Sequence, residues 1–128
     1  MERYFLIELS HIVLDSSIEV HRNLGPGLLE STYEVCLCKE LSLRNVKYLR
    51  QVPLPVNYKG EKLNAEYKID ILVENKLIIE LKSVEILLPV HIAQLLTYLK
   101  LSDKRLGLLI NFNVPRLVDG VKRVVNNF

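Results

Sequence analysis

The sequence predicts a mixed α/β domain, and three observations carry that prediction. Residues 10–44 place apolar side chains at helical spacing. Residues 46–82 switch to extended apolar runs parted by short polar turns. Beyond Pro89 a helical stretch precedes the apolar run 106–112. Antiparallel hairpins, then a strand reached through a helical crossover, make a mixed sheet. At 128 residues the chain suits one domain spanning 1–128 and leaves no room for two. A chain this long buries about two-thirds of its unfolded surface, so it needs no disulfide or metal staple.

In the first helix, over 10–23, Leu14 and Ile18 recur at helical spacing with Ile7 and His11 before them, while Asp15, Glu19 and Arg22 take another face. Leu24-Gly-Pro-Gly27 breaks it, because glycine opens unusual backbone angles and Pro26 lacks an amide donor. A second helix over 28–44 presents Leu29, Tyr33, Leu37 and Leu41 as one stripe. Residues 46–58 are extended, with Pro53 and Pro55 marking an edge or bent strand. Lys59-Gly60-Glu61 turns the chain into a second strand ending at Val73, and Glu74-Asn75-Lys76 turns it into a third over 77–82. Pro89 suits the first turn of a helix reaching Leu101, with Ile92, Leu95, Leu96 and Leu99 toward the core. The strand 106–112 follows. Pro115 then opens a final helix containing Leu117, Val118, Val121, Val124 and Val125.

Hydrophobic residues make up 49% of the chain and charged residues 25%, values that exclude a disordered, collagen-like or disulfide-scaffold protein. The apolar runs are too short to span a bilayer. The N-terminal stretch carries Glu2 and Glu8 without a small-residue cleavage site, so a cytoplasmic protein with no membrane partner is expected. The net charge of +2 is too small to indicate nucleic-acid binding by itself. Towards the C-terminus Lys100, Lys104, Arg105, Arg116, Lys122 and Arg123 outnumber Asp103 and Asp119, a pattern that a solvated surface also produces. Cys36 and Cys38, two apart on a helix, can neither bridge nor share a metal; two buried thiols are expected. His11, His21 and His91 lack ligand spacing, so no zinc site is visible.

Three polar residues interrupt apolar strands: Asp70, Glu80 and Lys82. Strand alternation points Glu80 and Lys82 to one face. If the turn is Glu74 to Lys76, Asp70 lies opposite Glu80, with Cβ atoms about 4.5–5.5 Å apart. A two-residue turn would pair Asp70 with Ile79 instead. Opposed carboxylates repel unless a cation sits between them, and Mg²⁺ favours one or two carboxylates completed by waters and substrate phosphates. Lys82 would then position or help deprotonate an attacking water, or stabilise charge developing on a phosphate. The competing reading is a surface salt bridge between Lys82 and a carboxylate. Gln94 and Tyr98, spaced i and i+4, either bind a phosphate or nucleotide or cap a buried helix edge, and Glu30 and Tyr33 after the Gly-Pro-Gly turn carry the same ambiguity.

Taken together these residues resemble the GxxExxY proteins, a predominantly prokaryotic family assigned to the PD-(D/E)XK nuclease-like superfamily. The likeness runs through Gly27-Leu-Leu-Glu30-Ser-Thr-Tyr33, the stretch from Gln51 to Pro55, the Asp70 strand, Glu80-Leu-Lys82, Pro89-Val-His91, Gln94 to Lys100 and Leu108 to Phe112. It implies a restriction-endonuclease-like α-β-β-β-α-β core, here with an extra N-terminal helix and a C-terminal helix. It further implies hydrolysis of phosphodiesters, with DNA as the expected partner and Mg²⁺ or Mn²⁺ as the cofactor. Asp70 and Glu80 then resemble the metal-binding acids and Lys82 the motif lysine. Glu30 resembles the acid many members contribute from the first core helix, and is expected to join the metal site. Gln94 and Tyr98 resemble the QxxxY element, with Tyr33 beside them as a substrate-binding residue. The proline that often precedes the motif aspartate is replaced by Ile69. The alternative is a catalytically silent nucleic-acid- or protein-binding module, or an accessory subunit that cuts only with a partner; a homodimer or a protein partner is a further expectation.

Overall fold

The chain opens with helices α1 (Glu2–Leu24) and α2 (Glu30–Leu43). Strands β1 (Tyr48–Tyr58), β2 (Glu61–Val73) and β3 (Leu77–Lys82) follow, then helix α3 (Pro89–Ser102) and strands β4 (Leu106–Asn111) and β5 (Val121–Val125). This computed structural model describes residues 2–128. The strands form one five-stranded sheet in the order β1-β2-β3-β4-β5. Every neighbouring pair is antiparallel except β3 and β4, which are parallel and joined through α3. From α2 to β4 this is the α-β-β-β-α-β core of a restriction-endonuclease-like fold, with α1 as the extra N-terminal helix.

The expected C-terminal helix is a correction. Only a single 3-10 turn, Leu117–Gly120, forms there, and the chain then pairs with β4 as β5. Val121, Val124 and Val125 are β-branched, and the open edge of β4 offers them a ladder that outweighs helical spacing. Gly120 makes the entry possible, since a Cβ there would collide with the Asn111 carbonyl.

Two cores flank the sheet. On one face α1 and α2 cover Ile71, Val73, Ile79, Leu81 and Ile110; on the other, α3 covers Leu72, Ile78 and Leu109. Helix α1 begins at Glu2, earlier than its apolar spacing predicts, and buries Leu6, Leu9, Val13, Ser16, Ser17 and Val20, while His11 is exposed. Ser16 and Ser17 enter the core because their hydroxyls donate to the Ile12 and Val13 carbonyls at 2.7 Å. Counting apolar residues alone misses such a face. Helix α2 buries Tyr33, Leu37 and Leu41 as expected, leaves Leu29 exposed, and adds Glu34 and Cys38. Burial pushes the Cys38 thiol up to about 11, whereas Cys36 is only half-buried. Helix α3 buries Leu95, Tyr98 and Leu99 and leaves Ile92 exposed. It lies close on β4, where a Cβ on Gly107 would come within 2.9 Å of the Leu95 side chain.

The β2–β3 hairpin has the three-residue-turn register: Val73 faces Leu77, Leu72 faces Ile78, and Ile71 faces Ile79. On the other side of β2, the ladder to β1 runs through Arg50–Ile71 and Val52–Ile69, with Gln51 between them in the left-handed region at φ 51°. Ile71 belongs to the α1–α2 core but Ile69 to the α3 core, although simple alternation puts both on one face. The strand thus exchanges faces at Asp70.

Candidate active site

The backbone ladder between β2 and β3 stops at Ile71–Ile79, and side chains take over. The Asp70 amide donates to Glu80 Oε1 at 3.1 Å, and the Leu81 amide donates to Asp70 Oδ2 at 2.9 Å. Each carboxylate replaces a carbonyl as acceptor, so the two acids are wedged between parting strands. Burial, and next the neighbouring Asp70 charge, push the Glu80 carboxyl up to about 8. Burial likewise raises Asp70, against the Leu81 amide, and Glu34 and Glu30 add repulsion. Lys82, half-buried and two residues beyond Glu80, lowers both but forms no ion pair among the described residues. The surface-salt-bridge reading of Lys82 is therefore not what this structure contains.

Glu30 is brought to the end of β3 by the turn that precedes it. Gly25 and Gly27 adopt φ of 71° and 92°, which other residues resist. The Tyr33 hydroxyl locks that turn, donating to the Gly25 carbonyl at 2.6 Å and accepting from the Leu28 amide at 3.1 Å. Its ring stacks on Phe112, with centroids 4.3 Å apart. Tyr33 is fully buried, so the structure gives it the job of shaping the turn and does not bring it to the site surface. Ser83 then joins turn to strand: its hydroxyl donates to the Leu28 carbonyl at 2.6 Å, and its amide donates to Glu30 Oε2 at 3.3 Å. Asn111, which the sequence reading passed over, fixes the chain beyond Lys82 by accepting from the Val84 amide and donating to the Val84 carbonyl. Its only sequence signal is a polar residue closing an apolar strand.

A cleft of about 380 Å³ opens between α2 and the β1–β2 junction, lined by Glu30, Ser31, Glu34, Arg50, Gln51 and Asp70. A larger cleft of about 630 Å³, beside Ser42, Tyr48 and Glu74, shares none of these residues. Glu34, Arg50 and Gln51 were missed by sequence reasoning. Glu34 is buried, with Arg50 Nη2 2.9 Å from its Oε2, Arg50 Nε donating to that oxygen at 3.0 Å, and Gln51 Nε2 donating to Oε1 at 2.7 Å. Its spacing of four from Glu30 was the available clue. On the opposite face Tyr98 is buried against Tyr67, ring centroids 5.9 Å apart, and burial and next the Glu80 charge push its hydroxyl up to about 12. Gln94, one turn earlier, is half-buried.

Among the described residues no three His, Cys, Asp or Glu side chains converge as a metal-holding cluster. Asp70 and Glu80 nonetheless fit a hard divalent ion. They are two carboxyls meeting from adjacent strands, each with one oxygen not engaged by the Leu81 or Asp70 amide, and waters can complete such a shell.

A family model described as the PD-(D/E)XK nuclease superfamily matches residues 7–124. No curated protein matches the chain, and neither does any solved structure. Among the described residues no helix is long and apolar enough to cross a membrane.

Proposed function

The chain belongs to the PD-(D/E)XK nuclease superfamily, and on that premise we propose that it is a metal-dependent nuclease hydrolysing phosphodiesters of DNA. The observation that carries this reading is the pair of carboxyls wedged between β2 and β3 with a lysine two residues on. Asp70 and Glu80 would hold Mg²⁺ or Mn²⁺, with Glu30 approaching from α2; the ion supplies Lewis acidity toward the phosphodiester and its attacking water. Lys82 presents an ammonium on the Glu80 side of the sheet. There it orients the water or offsets the charge that develops on the phosphoryl oxygens as water adds to phosphorus and the sugar oxygen departs. Gln94, half-buried, and Tyr98, buried against Tyr67, take the substrate-placing role on α3 from the likeness to the QxxxY element, not from exposure. The likeness to the GxxExxY proteins supports the same assignment of Glu30.

With Mg²⁺ or Mn²⁺ the protein should cleave single-stranded, duplex or open-ended DNA. Glu80→Ala or Lys82→Ala should lower the rate by about 1,000-fold or more while circular dichroism stays unchanged. Gln94→Ala and Tyr98→Phe should cost about tenfold, as expected of groups that position substrate. The second reading, a silent binding module, draws on the absence of a third convergent ligand among the described residues. No cleavage of any substrate, together with no divalent-ion binding by calorimetry, would favour it over the nuclease reading.

A further inference from the structure

The cleft between α2 and the β1–β2 junction is acidic: Glu30, Glu34 and Asp70 line it, and among its described lining residues Arg50 is the one cation. A DNA phosphate entering beside Asp70 meets repulsion that a metal at the two strand acids only partly offsets. Arg50 has the chemistry to offset the rest. Its guanidinium is held edge-on, Nε and Nη2 both directed at Oε2 of the buried Glu34, while the side chain keeps 43% of its surface exposed. The Nη1 edge makes no hydrogen bond among the described residues. Gln51 holds the other Glu34 oxygen, so the anchor cannot swing away. A planar donor fixed along one edge and open along the other is the arrangement that suits phosphate oxygens, because the fork is already ordered before the ligand arrives.

We propose that Arg50 is a phosphate-binding residue of the cleft, contacting a DNA backbone phosphate next to the scissile one, with Glu34 and Gln51 as its positioning residues. The assignment rests on the nuclease reading for its substrate class. It adds a contact from β1, an element to which neither the acids nor the lysine of the motif belongs.

The test is binding of a short fluorescent DNA duplex with Ca²⁺ in place of Mg²⁺, followed by anisotropy across a salt series. Removing one phosphate contact should lower the slope of log affinity against log salt by about 0.9 and weaken binding about tenfold at low salt. The paired variant Glu34→Gln/Arg50→Gln should show both changes without leaving a buried charge. Arg50→Lys, which keeps the charge but loses the fork, should hold the wild-type slope and bind a few-fold more weakly. If the paired variant does not fold, Arg50→Gln alone gives the same reading, since its amide can still donate to Glu34. Wild-type affinity and slope in a folded variant lacking Arg50 would overturn the contact, even if the protein cleaves DNA. Binding that weakens as expected in a protein that never cleaves would sink the nuclease reading and leave the Arg50 contact standing.

Discussion

Glu34 and Glu80 are buried to the same degree, 5% and 6% exposed, yet their surroundings are opposite. At the α2–β1 junction Glu34 meets an arginine and an amide donor, and its charge is balanced within the chain. At the β2–β3 junction Glu80 meets Asp70 and a single backbone amide. Burial penalises both charges, so what separates the two sites is the partner supplied. The first junction is finished by folding; the second has no ion-pair partner among the described residues. Internal neutralisation therefore marks the anchor, and its absence marks the place where chemistry is expected.

The sharpest way to break the contrast is to make Glu34 resemble Glu80. Arg50→Ala should destabilise the protein by about 2–3 kcal/mol in a urea melt, short of a fully buried pair because Arg50 is partly exposed. A loss under about 0.5 kcal/mol would mean that the Arg50–Glu34 pair contributes little to the fold. The second approach supplies what Glu80 lacks. A divalent ion at about 100 times its dissociation constant should stabilise the wild type by about 2.7 kcal/mol, and Asp70→Asn should abolish that gain. A wild-type thermal shift in the mutant would remove Asp70 from the ligand set.

The third approach is the pH dependence of the metal-free protein. The folded Glu80 carboxyl, raised from its ordinary value of 4.5 to about 8, keeps a proton that the unfolded chain has shed. Stability should therefore be full below about pH 4.5, fall as pH rises from there, and level off above about 8. Asp70, also raised, acts in the same direction. Urea melts of the metal-free protein should therefore give a lower stability at pH 8.5 than at pH 5. Glu80→Gln should flatten most of that slope, and Glu34→Gln should leave it in place. Equal slopes in wild type and Glu80→Gln would place the titrating group elsewhere.

The sequence alone determined much of this. Polar residues breaking apolar strands singled out Asp70, Glu80 and Lys82, and the turn Glu74-Asn75-Lys76 set a register that the pairing of Val73 with Leu77 reproduces. The Gly-Pro-Gly break located the start of α2 and hence Glu30. These are local matters, fixed by periodicities of a few residues and by turn chemistry. Tertiary structure decided the rest. It chose the buried face of α1, where Ser16 and Ser17 outranked Ile18 because their hydroxyls bond within the helix. It drew Val121–Val125 into a strand, since only the free edge of β4 could offer those amides partners. It turned Tyr33 inward onto Phe112, 79 positions later in the chain, and brought Arg50 and Gln51 to Glu34 across a gap of 16 and 17. Such pairings depend on which distant surface is left uncovered when helices and sheet meet, and no window of sequence contains both partners.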